Sequence, residues 1–265
     1  MTYIWKEWKE LSRGKGLWLA LSTAMIISVF ILWQSKSLPS NQGFEVYLVS
    51  LYEMNVFLIP LLSLFISSFA VIQEKEQKTL MIILTKKESY RSFFLKKTIG
   101  VQLITVLMFL CWYFALALPM KFVFFFHVSS FWVFLLTFLT LLIIFNQIGL
   151  FLGSICDNRM QLIGANILTW FFFIFILDLL FLYFLPRVNE ENITAFSVVY
   201  FLDPLHTLHF YLETALGLYP LDHMSRLMKK MVWLPPKYLL PITLLVWLTL
   251  SFELSIRLRR RGGIS

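Results

Sequence analysis

Six long stretches of this sequence, residues 17–33, 54–72, 99–118, 131–155, 162–185 and 238–256, run almost without charge. A helix needs about 20 apolar residues to cross the hydrocarbon of a bilayer. Lipid cannot bond to exposed backbone, so spans are helices or closed barrels, and no short alternating strand pattern occurs. Composition agrees: 59% of residues are hydrophobic and 14% charged, against roughly 45–50% and about 25% in soluble domains. The expected fold class is therefore an all-α polytopic membrane protein with six transmembrane helices. The first stretch is short for a helix rising ~1.5 Å per residue, so an extra turn at each end is expected. Residues 1–16 ahead of it are mostly polar and no small-residue cleavage site comes after it, which argues against a secretory leader.

Loop charge orients the bundle. With the N-terminus inside, segments 1–16, 73–98, 156–161 and 257–265 carry 16 of the 23 Lys and Arg. Both termini are therefore expected in the cytoplasm. The net charge of +8 is assigned to topology and anionic lipid, not to nucleic acid. The whole chain, 1–265, reads as one transmembrane domain. Within it, segment 1–16 has Ile4, Trp5, Trp8 and Leu11 at helical spacing, with Lys6, Lys9 and Arg13 largely off that face. An interfacial helix is expected there, as an anchor or as a moving part. Segment 186–237 is too long for a plain connector. After a polar stretch at 189–194, it is expected to form short helices resting on or dipping into the outer leaflet, before the last span.

The charged island 73–98 carries seven Lys/Arg and three Glu, yet encloses an apolar run at 80–84. Leu80, Ile83 and Leu84 stand at i, i+3 and i+4, a pattern that docks a helix in a partner's groove or lays it on a membrane surface. Glu74 and Glu76 precede the run, where carboxylates favour a helix N-terminus. No Gly-x-x-x-x-Gly-Lys-Ser/Thr loop occurs, so this chain does not bind ATP in that way.

Polar residues elsewhere admit paired readings. His206 and His209, at i, i+3 in the outer segment, could share a metal, and Met224, Met228 and Met231 come after His223; soft ligands of this kind suit copper. An amphipathic helix set against lipid accounts for the same residues, and no metal is the reading taken. Asp178 lies inside the fifth span, facing a wet lumen or a packing network with Asn166, Trp170 or a tyrosine. Asn146 and Gln147, with Gly149 and Gly153 just beyond them, suit close helix packing or contact with a substrate. Glu253 and Arg257 form an i, i+4 pair. Cys111 and Cys156 fall at different depths and are not expected to form a disulfide. No nucleophile, base and acid stand at matching depth, so catalysis is not expected.

Residues Glu74-Lys75-Glu76-Gln77-Lys78-Thr79-Leu80, then Ile83-Leu84-Thr85, resemble the "E-[RK]-E-x-G-T-L…LL-[ST]" pattern after span two of ABC-2 type transporter membrane subunits. Arg91, Phe94 and Lys96-Lys97 are similar to that family's run into span three, and Asp203-Pro204 to its turn before the external helices. Lys78 stands where glycine is usual, and Lys86 or Lys87 where proline is common. The length and the EKE-x-x-TL version are similar to permeases of the nitrous-oxide-reductase maturation (NosY-like) group.

The resemblance implies a permease of a bacterial cytoplasmic membrane, driving export. Glu74, Glu76, Thr79, Leu80, Ile83 and Leu84 would form a coupling helix on a separate ATPase subunit, which holds the ATP and Mg. Further implied partners are a second permease copy, as a homodimer, membrane lipid and an extracytoplasmic accessory protein. Two alternatives remain open: a mechanotransmitting subunit that drives such a partner without moving cargo, and a polytopic membrane enzyme.

Overall fold

Alternating apolar stretches and charged connectors fold into helices throughout the described part of the chain. The computed structural model describes residues 2–35, 43–77, 89–219 and 226–262, and no strand occurs among them. In chain order the helices are α1 (Thr2–Arg13), α2 (Lys15–Gln34), α3 (Gly43–Glu76), α4 (Tyr90–Val123) and α5 (Val128–Ile155). Next come α6 (Arg159–Phe171), α7 (Leu177–Phe184), α8 (Ile193–Leu202), α9 (Pro204–Ala215), α10 (Arg226–Met231) and α11 (Pro236–Gly262). Six units are long and apolar enough to cross a membrane: α2, α3, α4, α5, the continuous Arg159–Arg187 unit holding α6 and α7, and α11. This is the architecture of a multi-pass membrane protein.

Several boundaries differ from the sequence expectation. Helix α2 gains only a few residues rather than a full turn at each end. Helix α3 begins at Gly43, well ahead of residue 54, and runs to Glu76. Helix α4 begins at Tyr90, so residues 90–98 of the island read as a loop are helical. Ser89 caps it, its hydroxyl accepting from the Ser92 amide at 3.3 Å, which satisfies one of the free donors of a first turn. Phe93, Phe94, Lys97, Gly100, Val101 and Ile104 then form one buried stripe. Hydropathy misses this extension because it counts Lys97 as a charge for water, whereas the fold pairs it internally.

Helix α5 is the hub, packing on α3, α4, α6, α9 and α11. Its contact with α3 is close because Gly149 and Gly153 lack side chains. A Cβ at Gly149 would lie 2.0 Å from Ser67 Oγ, and one at Gly153 would lie 2.6 Å from the Ser68 carbonyl oxygen. The small-xxx-small spacing thus serves helix approach. The fifth unit carries a π turn at Phe172–Ile176, an inserted residue that re-aims the side chains beyond it, Asp178 included.

Ion pairs fix which helix ends meet. The ends of α3, α5 and α11 and the starts of α4 and α6 gather with α1 at one end of the bundle. The first described helix, α1, and the end of the last, α11, therefore lie at the same end. The segment after α7 folds onto the opposite half. Helix α9 packs on α5 and α11 through buried Leu205, Leu208 and Leu212. It starts at the Asp203-Pro204 turn, where Asp203 accepts from the amides of Leu205 and His206 and Pro204 occupies the position that needs no N–H.

Candidate functional site

The densest polar arrangement lies where α1 crosses α3 and α4. Lys97 Nζ of α4 donates to both carboxylate oxygens of Glu7 at 2.8 Å and to Glu74 Oε1 of α3 at 3.0 Å. Lys6 Nζ reaches the same Glu74 oxygen at 3.1 Å. Glu7, Glu74 and Lys97 are all buried. Glu7 gets there because it shares the inward face of α1 with Ile4, Trp8 and Leu11, while Trp5 is 70% exposed. The expected face of Ile4, Trp5, Trp8 and Leu11 is therefore rotated. A buried ion partner outweighs a tryptophan, which keeps its ring on the outer side. Gly100, one turn after Lys97, makes room: a Cβ there would lie 2.9 Å from Glu7 Cγ.

Two buried carboxylates share one buried ammonium, and the electrostatics reflect that imbalance. Burial pushes the Glu7 carboxyl above its usual range; Lys97 opposes the shift, and the Glu74 and Glu10 charges reinforce it. Burial draws Lys6 down, but Glu74, Glu10 and Glu7 outweigh it and hold its ammonium above the ordinary value. Removing one partner of such a buried set is expensive, because the charge left behind has no solvent.

A ring of further contacts extends the lattice. Lys75 Nζ donates to the Ser154 and Cys156 carbonyls at 2.6 and 2.8 Å, capping the negative end of α5. Arg159 Nε donates to both oxygens of Glu76 at 2.8 and 2.9 Å. Arg91 and Arg257 approach Glu253 of α11 at 3.5 and 3.4 Å. The last turn of α3 and the first turns of α4 are thus tied to each other and to α1, α5, α6 and α11. Chemically this arrangement joins the helix ends through charge-assisted hydrogen bonds. Beside it opens a cavity of about 460 Å³ whose lining includes Glu7, Glu10, Leu17, Phe65, Ile66 and Lys97.

Of the residues proposed from sequence for docking, Glu74 faces inward and Glu76 is engaged by Arg159. Thr79, Leu80, Ile83 and Leu84 lie outside the described residues, as do His223 and Met224. Asn146 donates to Thr105 Oγ1 at 2.8 Å and to Gln102 Oε1 at 3.3 Å, joining α5 to α4. Gln147 is buried with no hydrogen-bond partner for its amide among the described residues. Asp178 does not join Asn166 or Trp170. Asn166 donates to Ser68 Oγ and Trp170 to the Phe57 carbonyl, while Asp178 faces His206 across 3.3 Å. His206 and His209 line one cavity with Asp178 and Glu53.

Sequence reasoning gave no site role to Glu7, Lys97, Arg159 or Glu53, Lys97 entering only in the run into span three. For the first two a signal existed, since each is a charged residue set in an otherwise apolar helical stripe. No family model and no curated protein matches the chain.

Proposed function

We propose that this chain is the membrane subunit of an ATP-driven exporter of the ABC-2 type, working as a pair of copies in a bacterial cytoplasmic membrane. A separate ATPase subunit binds ATP and Mg and docks against residues 74–84. The observation that carries this reading is the Glu74–Lys97–Glu7 contact. It joins the two helix ends that frame residues 77–89 and ties both to α1. Force applied to the connecting segment therefore enters three helices at once. The lattice around it passes that force to α5, α6 and α11, and the apolar set Leu80, Ile83 and Leu84 supplies the anchor for the partner.

Purification of the tagged chain from native membranes in mild detergent tests the proposal. An ATP-hydrolysing protein without spans of its own should co-purify, and Leu80→Asp or Ile83→Asp should release it while the chain stays membrane-inserted. Survival of the association in both variants overturns the docking site, and absence of any ATPase overturns the function.

A second reading keeps the ATPase but moves no cargo, driving a partner at the opposite end of the bundle. It is favoured by the packing of α9 on α5 and α11, which links segment 186–237 to the helices that the lattice holds.

A further inference from the structure

At the end opposite the lattice, α3, α7 and α9 surround an open cavity of about 430 Å³, within the roughly 300–1,000 Å³ usual for small-molecule sites. Glu53, Asp178, His206 and His209 line it, over an apolar floor that includes Val56, Phe57 and Ile174. No lysine, arginine, hydroxyl or side-chain amide stands among the described residues of the lining. Glu53 and Asp178 lie within membrane-length helices, where a carboxylate is costly unless something compensates its charge.

The hydrogens available on this wall do not match its acceptors. Asp203, buried at the start of α9, contacts His206 Nδ1. An ionised carboxylate only accepts, so in a neutral imidazole the one N–H points to Asp203 and the Nε2 lone pair looks out. That lone pair faces Asp178 Oδ1 at 3.3 Å, acceptor against acceptor. One turn further along α9, His209 stands between Glu213 and Glu53, both at 3.6 Å, and a single N–H serves at most one of them. The cavity therefore presents negative charge and lone pairs above an apolar floor. A bare metal ion does not answer this pattern, because among the described residues no three ligand atoms of the lining lie within 4.8 Å of one another. A phospholipid headgroup does not answer it either, since its phosphate would meet only acceptors. An ammonium group without an anionic neighbour does, because it brings the missing hydrogens and the opposite charge together.

We propose that this cavity binds a protonated primary amine carried on a small apolar body. The ammonium donates to Asp178 and to the His206 Nε2 lone pair, Glu53 adds a second negative charge, and the apolar body rests on Phe57 and Ile174. Asp178, 60% exposed, has room to part from His206 as the nitrogen enters. The π turn at Phe172–Ile176 directly precedes Asp178, and such insertions recur at functional sites. Binding is read without ATP hydrolysis, so the site stands or falls independently of the function proposed above.

The test is equilibrium dialysis of radiolabelled phenethylamine against the full chain in an uncharged detergent, at mildly alkaline pH, with empty micelles as the blank. Saturable uptake of one phenethylammonium per chain is expected. Three molecules of similar shape separate charge recognition from greasy partition. Phenethyl alcohol, which lacks the charge, should compete about tenfold or more less effectively. Phenylalanine, which adds a carboxylate beside the ammonium, and hydrocinnamate, which has only the carboxylate, should not compete. Asp178→Asn, at an exposed side chain, should weaken phenethylamine binding by about tenfold or more. Glu53→Gln serves as the second variant should Asp178→Asn fail to fold. Glu45, which accepts from His127 and Ser130 outside this cavity, is the control, and Glu45→Gln should bind as the wild type does. Uptake no greater than that of empty micelles overturns the proposal. So does equal competition by phenethyl alcohol or phenylalanine, and so does binding that survives Asp178→Asn and Glu53→Gln or falls equally with Glu45→Gln.

Discussion

The two ends of this bundle use similar residues to opposite effect. Where α1 crosses α3 and α4, Glu7, Glu74 and Lys97 have side chains 0%, 3% and 1% exposed, and their charged atoms meet at 2.8–3.0 Å. At the other end Asp178 and Glu53 are 60% and 53% exposed, and their histidines stand off at 3.3 and 3.6 Å. The first set is closed on itself, with Lys97 bonded to both carboxylates, although Glu7 and Lys97 also border a cavity. The second is open, its two histidine–carboxylate pairs lining a cavity. A sealed set resists separation of the helices it joins, whereas an open one leaves its polar groups accessible. Burial and spacing separate the two roles, not residue type.

The largest expected effect breaks the closed set. Lys97→Met leaves Glu7 and Glu74 buried around an apolar side chain, a loss on the order of 3–5 kcal/mol for a broken buried pair. Thermal unfolding in detergent, monitored by size-exclusion chromatography, should show a strongly destabilised chain. Asp178→Asn is the counterpart, at a side chain 60% exposed, and it should leave unfolding unchanged or slightly delayed. Equal tolerance of both changes would erase the contrast between the two ends.

That contrast was only half legible in the sequence. Hydropathy announces the six spans because lipid demands unbroken apolar length, and Asp203-Pro204 announces a turn because its cap and its proline are local. The spacing of His206 and His209 is equally local. Lys97 and Glu7 stand 90 residues apart, and Asp178 meets His206 only after α9 folds back. No local pattern reports a pair that the chain assembles at such range. The start of α4 at Tyr90 was hidden for the same reason: once Lys97 has its carboxylates, its charge no longer marks a loop. Trp5 misled as well, because a large apolar ring suggests an inward face until Glu7 is seen to occupy it.

A smaller effect sharpens the asymmetry inside the closed set, where two carboxylates compete for one buried ammonium. The Glu7 carboxyl is held above the ordinary value of 4.5, so the folded chain retains a proton there that the unfolded chain gives up. The stability linked to that proton is fully present below the ordinary value and is lost as pH rises through the raised one. Glu7→Gln imitates the protonated form and leaves Lys97 matched to Glu74 alone. The variant should therefore unfold with a flatter pH dependence between mildly acidic and neutral conditions. Parallel curves would mean that Glu7 is fully ionised and that Lys97 serves both partners equally.

The smallest effect belongs to the lattice's outer edge, which is closed in geometry yet open to water. Arg159 grips Glu76 through three hydrogen bonds, but the two side chains are 59% and 36% exposed. Solvent screening reduces such a pair to roughly 0.2–1 kcal/mol. Arg159→Ala should move thermal unfolding by no more than that, and the difference from wild type should shrink as salt is raised. The Lys97→Met defect should persist in the same salt series, because ions do not reach a buried pair. If function is force transmission, Arg159→Ala should nonetheless lower ATP-driven turnover more than its stability cost implies, since it disconnects the end of α3 from the start of α6. Turnover that merely tracks stability would confine the transmitting contacts to the buried Glu7, Glu74 and Lys97.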